Sequence, residues 1–348
     1  MLILLLLIIF IVLFFVFTEE YLGKYKGMVY LFVAMGFILY SGLRPVGFDR
    51  DSQNYENLFM HPDANLSGII VEPSFTILSK LLYNIYSDVH ILLFLYALIG
   101  VSIKFYAIKR LSTFYFLPII IYIGNFFLLH DITQIRVGIA SAIFLLSLEP
   151  LSEGKKLYAF FYMLLAIFFH YSAIALLPLL ILNNNPFSLR MKIAWAFIVP
   201  LCFILYVKGL DILTTIYIPY ITEKVEYYQA LSENKLEKES ILNPFPLIKM
   251  TVFLYLLYFA DIIKQNVPSI YLLIKILGCS LLAYFALSSI KIVSMRISEL
   301  YGIVELLVYP CLVFTIKPAT IGKVVVCVIA FIELYFNLIQ WEILDFNI

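Results

Sequence analysis

The sequence has little charge for its length, and this absence bounds the class of protein. Only 14% of the 348 residues are charged, whereas 63% are hydrophobic, and the mean hydropathy is +0.99. Soluble globular domains are about half apolar and about a quarter charged. The shortage of charge therefore excludes a soluble domain and indicates an integral membrane protein. The net charge of +1 offers no basic surface, so we expect no nucleic-acid partner.

Cysteine motifs and the sequence features of a signal peptide are also missing. The four cysteines stand singly in apolar runs, without a CxxC pair or a Cys/His spacing typical of zinc sites. We interpret them as small buried apolar residues. Residues 1–17 are apolar, with no basic stretch before them and no small-residue cleavage motif after them. We therefore expect this run to be a first transmembrane helix and not a signal peptide.

Long apolar runs predict an all-α, polytopic fold of about 10–12 transmembrane helices, since each run can cross about 30 Å of hydrocarbon. We expect one integral membrane domain, residues 1–348. The runs, in chain order, are 1–17, 28–43, 89–108, 113–129, 134–149, 193–207, 247–263, 269–290, 297–316 and 322–340. A further run, 157–182, is either one long tilted helix or two short segments that meet near His170 and Tyr171.

The short basic loops decide between these two forms of the run 157–182. These loops are 18–27, 109–112, 150–156, 183–192, 264–267 and 317–323. Short loops rich in Lys and Arg face the cytoplasm. All of them share one side only if 157–182 is a hairpin with His170 at its outer tip, which we therefore predict. Two long segments, 44–88 and 208–246, are then external loops.

Arginine is rare, and most of it falls on the predicted outer face. Of six arginines, Arg44, Arg50, Arg136 and Arg296 lie there, against the positive-inside tendency. A charge deep in a membrane helix costs about 2.5–3.5 kcal/mol, so it normally faces a partner or a water-filled cavity. The planar fork of arginine also fits phosphate bidentately. Several arginines at one face favour a diphosphate site, and pairing with a neighbouring acid is the alternative for each.

Histidines and aspartates lie close to these arginines in the sequence. His170 interrupts an apolar run, and His130 lies six residues before Arg136. Histidine is the natural proton acceptor near neutral pH, although structural packing is the alternative. Asp49 and Asp51 form a DxD motif, which in some enzymes holds a divalent metal. We expect no cofactor, with a divalent metal at these two aspartates as the alternative.

The segments that carry these residues resemble the EpsG/Wzy-type family of bacterial exopolysaccharide and O-antigen polymerases. The likeness covers about residues 41–182 and rests on SGLRPVGFD with Tyr55, EPSFTIL, QIRVGIASAIFLLSL and LLAIFFHYSAIALLPLL. The family has the same order: an arginine-glycine-aspartate-tyrosine loop, a glutamate helix, an arginine helix and a histidine-tyrosine-serine segment. Asp51 has the family's spacing to Tyr55, whereas Asp49 has its spacing to Gly47. Which aspartate is functional therefore stays open.

The resemblance implies a membrane glycosyltransferase of GT-C-like architecture in the bacterial inner membrane, with a periplasmic active face. Such an enzyme joins undecaprenyl-diphosphate-linked oligosaccharides as donor and acceptor, and a chain-length-regulating membrane protein is a further expected partner. Its chemistry needs cations for the leaving diphosphate and a base for the acceptor hydroxyl. The expected residues are Arg44, Arg136 and Arg296 for the diphosphate, His170, Asp49, Asp51 and Glu72 for catalysis, and Tyr55, His130 and Gln134 as secondary candidates.

Two other functions stay open at the level of the sequence. An O-antigen ligase would share the donor and differ only in its acceptor. A lipid-linked glycan flippase or a proton-coupled transporter would also need cations for diphosphate. Transporters usually carry their ionisable groups near the bilayer midplane, whereas these groups lie at helix ends. We therefore predict the polymerase.

Overall fold

The structure is a computed structural model that describes residues 1–61, 71–208, 244–288 and 291–346. Within these ranges the chain is helical and forms no strand; one isolated antiparallel bridge joins Asp49 to Leu344. A helix satisfies its backbone hydrogen bonds internally, as a lipid environment demands. The predicted all-α class is confirmed.

The chain divides into two compact units, Met1–Ile181 with Leu306–Ile348 and Leu182–Glu305. The first unit begins with α1 (Leu2–Thr18), α2 (Lys26–Gly42), α3 (Ser52–Met60), α4 (Pro73–Tyr83), α5 (His90–Leu111), α6 (Leu117–Ile121), α7 (Ile135–Ser152) and α8 (Lys156–Phe169). The second unit contains α9 (Leu189–Ala196), α10 (Ile198–Lys208), α11 (Pro244–Ile263), α12 (Ile270–Ala286) and α13 (Lys291–Gly302). At the boundary and back in the first unit lie α14 (Glu305–Val308) and α15 (Ala319–Tyr335).

Segments of 3-10 and π-helix continue these helices. They are the 3-10 helices Glu19–Tyr25, Tyr171–Ile181 and Tyr309–Phe314, and the π-helices Tyr122–Thr133 and Phe336–Gln340.

Seven helices of the described chain are long and apolar enough to cross a membrane, and four shorter apolar helices accompany them. The first of the seven, Leu2–Gly42, is broken at Gly23, and its halves α1 and α2 contact each other. Large apolar side chains stay exposed on its surface, such as Ile3 at 83% and Phe10 at 67%. Apolar surface of this extent suits lipid and not water. The protein is thus a multi-pass membrane protein, and the predicted ten to twelve crossings are reached only if the shorter helices also cross.

The run 157–182 is a hairpin, as predicted. Helix α8 ends at Phe169, His170 has an extended backbone (φ −154°, ψ 121°), and the 3-10 helix Tyr171–Ile181 packs back on α8. At about 1.5 Å per α-helical residue and about 2 Å per 3-10 residue, each arm is about 20 Å long. His170 therefore lies at the tip of two short arms.

In the first unit, α5 and α7 pack against each other, α2 covers α5, and α8 covers α7. The short helix α4 contacts α3, α5 and α8. This packing brings the ends of α3, α4, α7 and α8 together. Helices α3 and α4 both come from the predicted external loop 44–88, whereas most of the other predicted loop, 208–246, lies outside the described residues. The single-domain prediction and the sidedness of the loops stay predictions.

Candidate active site

Three of the predicted site residues meet in the first unit. The Glu72 carboxylate forms an ion pair with Arg136 through Oε2, and its Oε1 lies 2.6 Å from His170 Nδ1. Each residue stands at a helix end. Glu72 occupies the N-cap position of α4, Arg136 lies in the first turn of α7, and His170 occupies the C-cap position of α8. One carboxylate therefore joins a cation and an imidazole that are far apart in the sequence.

Local sequence explains why Glu72 can serve both partners. Glu72 has an extended backbone and is followed by Pro73 at the first helical position, where a missing N–H is not needed. The start of a helix carries partial positive charge, which disfavours a cation such as Arg136 in the first turn of α7. The Glu72 carboxylate offsets that effect.

Two aromatic rings hold the Arg136 guanidinium. Its Cζ lies 5.6 Å from the centroid of the Tyr55 ring and 5.5 Å from that of Phe75. Cations within about 6 Å of a ring centroid are attracted to the ring face. The Arg136 side chain is 22% exposed, compared with 12% for His170 and 4% for Glu72. Arg136 is thus the most open member of the cluster.

The protonation of Glu72 follows from its neighbours. Burial by itself raises the pKa of Glu72, but the His170 hydrogen bond and the Arg136 charge outweigh burial and lower this pKa from 4.5 to about 2. The carboxylate is therefore ionised at neutral pH, and its Oε1 lies within hydrogen-bond distance of His170 Nδ1, as an acceptor for a proton on that nitrogen. In the neutral imidazole, Nε2 is then the proton acceptor. Burial raises the pKa of Tyr55 well above its ordinary value, so that the phenol stays neutral.

Arg44 lies outside this cluster and is completely buried. Its Nε donates to Asp49 Oδ2 at 2.7 Å, Nη1 donates to the Ser41 carbonyl at 2.6 Å, and Nη2 donates to the Ile132 carbonyl. Each guanidinium nitrogen therefore bonds within the protein. Its predicted role as a diphosphate ligand stays a prediction, and in this arrangement Arg44 ties the loop after α2 to the turn before α7.

The two aspartates of the DxD motif differ in their surroundings. Asp49 is buried, and besides Arg44 it accepts hydrogen bonds through Oδ1 from the amides of Asp51 and Ser52, both at 3.0 Å. Asp51 is half-buried at the start of α3, one turn before Tyr55. A divalent cation at the motif would have to displace the bonds of Asp49. The catalytic role predicted for either aspartate stays a prediction.

The likeness seen in these motifs extends to nearly the whole chain. The sequence model of the EpsG family matches residues 27–347. The chain belongs to the EpsG family. This membership suggests a polysaccharide-polymerase-like, glycosyltransferase-like function. Neither the curated proteins nor the solved structures give a match to the chain. A GT-C-like architecture for this EpsG-family chain stays a prediction.

Three other predicted residues of the EpsG-family chain have surroundings of their own. His130 is completely buried beside the Phe126 ring, and neither of its ring nitrogens has a hydrogen-bond partner among the described residues. Gln134 is half-buried at the start of α7. Arg296 is half-buried on α13 and belongs to the second unit, whereas Arg136 belongs to the first.

A buried ion pair beside this site was missed in the sequence. Lys104, in the middle of α5, places Nζ 2.9 Å and 2.7 Å from the two carboxylate oxygens of Asp131, and the Tyr122 hydroxyl donates to Asp131 Oδ2 at 2.7 Å. The signal was present, because Lys104 interrupts a long apolar run as the arginines do. Phe75, which covers Arg136, carries no such signal.

Proposed function

We propose that this EpsG-family chain is a polysaccharide polymerase of the bacterial inner membrane. It would join undecaprenyl-diphosphate-linked repeat units by glycosyl transfer at the periplasmic face. The contact of Glu72 with both His170 and Arg136 is the observation that carries the proposal. Glycosyl transfer from a lipid diphosphate needs a base and a cation close together, and this cluster contains both.

His170 activates the acceptor sugar in this proposal. Its Nε2 takes the proton from the attacking hydroxyl, while ionised Glu72 holds Nδ1–H and stabilises the imidazolium that forms. The hydroxyl oxygen forms the new bond to the anomeric carbon of the donor. The proton leaves His170 to solvent after the transfer, which restores the base.

Arg136 stabilises the leaving group. As the new bond forms, the bond between the anomeric carbon and the lipid diphosphate breaks, and undecaprenyl diphosphate leaves with the electron pair. The guanidinium donates hydrogen bonds to the phosphate oxygens as their charge develops. Tyr55 and Phe75 keep the guanidinium at the open side of the cluster. The role of Arg296, in the second unit, stays a prediction from the sequence, and we propose no cofactor.

The sidedness of the site follows from the basic loops. Those loops face the cytoplasm under the positive-inside tendency, so that the tip of the hairpin at His170 faces the periplasm. Glu72 follows the external loop and contacts that tip, which supports the same side for the whole cluster. A membrane protein that regulates chain length is the partner we propose besides the two lipid-linked substrates.

Complementation of a strain that lacks its own polymerase tests the proposal. The wild-type chain should restore a polysaccharide ladder, whereas Arg136→Ala, Glu72→Gln and His170→Ala should leave a single repeat unit on an intact core. Arg110→Ala is the matched control, because Arg110 is an exposed arginine paired with Glu149 outside the cluster. Membrane expression is measured for each variant.

The other outcomes identify the alternatives. A bare core would indicate a defect in ligation or flipping, as expected for an O-antigen ligase or a lipid-linked glycan flippase. A normal ladder from the three site variants would overturn the mechanism, since it would leave the cluster without a part in the reaction.

A further inference from the structure

The buried Lys104–Asp131 pair holds the turn that leads into Arg136, which is formed by residues 131–135 at the end of the π-helix Tyr122–Thr133 and the start of α7. Lys104 Nζ donates to both carboxylate oxygens of Asp131, at the first residue of the turn, and to the carbonyl of Gly138 at 2.7 Å, in α7 just after the turn. Arg136 lies between these attachment points, two residues before Gly138. A single ammonium group on α5 thus bonds both sides of the segment that presents Arg136.

Two glycines leave space for the Asp131 carboxylate between α5 and α7. A Cβ atom at Gly100 would lie 2.7 Å from Asp131 Oδ1, and one at Gly138 would lie 2.6 Å from the His130 carbonyl. Real Cβ contacts are not this short, so a larger residue at position 100 would displace the Asp131 carboxylate, and one at position 138 would push away the backbone at His130. The close approach of α5, α7 and the turn around the Asp131 carboxylate therefore depends on both glycines.

The same turn is bonded from a second direction. The Ser41 hydroxyl of α2 donates to the Asp131 carbonyl at 2.5 Å, and Arg44 donates to the carbonyl of Ile132. Tyr122 adds a bond to the Asp131 carboxylate. The backbone just before α7 is therefore fixed by side chains from α2, α5 and the π-helix Tyr122–Thr133.

We propose that Lys104 and Asp131 are positioning residues for Arg136: they set where α7 starts and hence where the guanidinium lies beside Glu72. The proposal rests on the proposed function. A cation that stabilises a leaving diphosphate must meet charge that appears only in the transition state, and a misplacement of about 1 Å lowers such a rate roughly 10²-fold. Neither residue touches the substrate in this proposal.

A double variant separates positioning from stability. Lys104→Met alone leaves Asp131 buried without its cation, so loss of activity there would not be informative. Lys104→Met with Asp131→Leu removes both charges, and replacing a buried pair by apolar residues often leaves stability unchanged. The matched control is Lys249→Met with Glu305→Leu, which removes an ion pair (2.8 Å) of the second unit. Gly100→Ala, whose Cβ would displace the Asp131 carboxylate without removing a charge, is the second variant should the double variant fail to fold.

Three quantities are measured on the purified protein: the melting temperature, kcat and KM for lipid-linked repeat units, and the rate at which a cysteine at position 134 reacts with a thiol reagent. Gln134→Cys is introduced into each background, with the four native cysteines replaced by alanine. We expect the Lys104/Asp131 double variant to melt close to the wild type, to lose roughly 10²-fold in kcat with little change in KM, and to change the labelling rate several-fold. The second-unit control should change neither kcat nor labelling.

The labelling rate also separates this proposal from the proposed function. If the wild type makes no polymer while the double variant alters labelling at position 134, the proposed function fails and the positioning of the turn stands. Wild-type kcat and wild-type labelling in a folded double variant, or in Gly100→Ala if only that variant folds, would overturn the positioning role and leave the pair as a stabilising contact.

Discussion

The first unit contains two ionic clusters, one at Glu72 and one at Asp131. They are alike in composition but differ in how deeply the cation is buried and in how many acceptors surround it. In each, a carboxylate pairs with a cation from another helix. Lys104 is completely buried, and its ammonium group has three acceptors, both oxygens of Asp131 and the carbonyl of Gly138. Arg136 is 22% exposed, and it shares its carboxylate with a histidine. A charge inside a membrane protein is therefore not by itself a sign of chemistry.

The difference lies in what each cluster can still do. The Lys104–Asp131 pair is buried and its ammonium group is fully hydrogen-bonded, so it has no donor left for a ligand. Removing one partner leaves the other charge without compensation in a medium of low dielectric constant. A partly open cation beside a titratable imidazole can meet a ligand and move a proton. Single substitutions in the two clusters should accordingly have different effects: loss of one partner of the Lys104–Asp131 pair should lower stability, whereas a substitution in the Glu72 cluster should lower the rate.

The largest expected effect is on the buried pair. Lys104→Met should lower the free energy of unfolding by about 3–5 kcal/mol, because it leaves the Asp131 carboxylate buried and unpaired. Unfolding of the purified protein in detergent measures this loss. Lys109→Met is the control, since Lys109 is exposed on the same helix and should leave stability nearly unchanged. Equal stability of the two variants would mean that the buried pair contributes nothing to the free energy of unfolding, and the two clusters would then not differ as described.

The next largest effect is on the base. His170→Gln should lower kcat by roughly 10²–10⁴-fold, which is the usual contribution of a general base, with little change in melting temperature. Polymerisation of lipid-linked repeat units by the purified protein measures kcat. His61→Gln changes an exposed histidine and should behave as the wild type. A His170 variant that keeps its kcat would exclude this residue as the base.

A smaller effect is expected from the form of the cation. Arg136→Lys keeps the charge but loses the planar fork that bonds phosphate and Glu72 together, so kcat should fall about 10²-fold. The same assay measures it, with Arg110→Lys as the matched exchange at a surface arginine. Full activity of the lysine variant would show that a point charge is enough at this position.

The smallest effect concerns pH and Glu72. Its pKa is lowered from 4.5 to about 2, so the ionised carboxylate stabilises the fold fully above about pH 4.5, and this contribution is lost as the pH falls toward 2. The wild type should therefore melt a few degrees above Glu72→Gln near neutral pH, and the gap should narrow as the pH falls below about 4.5. Melting curves between pH 7 and pH 3 measure it. A gap that does not change with pH would contradict the assigned cause.

Much of this molecule is readable from simple features of its sequence. In its described part, each predicted apolar run is mainly helical, as one helix or as consecutive helical segments, because a lipid environment permits little else. The basic loops predicted the hairpin at His170. The cost of a charge in hydrocarbon predicted Arg136 as a site residue, and the order of the family motifs predicted Glu72 and Tyr55. Those residues do meet.

The surroundings of a charge are harder to predict. The energetic cost of a charge in hydrocarbon applies to Lys104 within α5 as it does to the arginines, and the sequence does not show that Lys104 pairs with Asp131. Arg44 looked like Arg136 in the sequence, yet Arg44 is sealed among Asp49 and backbone carbonyls, whereas Arg136 stays partly open. Sequence identifies a costly charge, but it does not reveal how many acceptors surround that charge.

By itself the sequence determined the class, the positions of the membrane helices and the short set of residues worth testing, since hydropathy and the energy of buried charge act locally along the chain. Only the tertiary structure decided which cation meets which carboxylate. That choice depends on helix packing: glycines at 100 and 138 admit the Asp131 carboxylate, and the contacts of α4 with α3, α5 and α8 carry Glu72 to His170. Packing is a property of several helices at once, and no single stretch of residues encodes it.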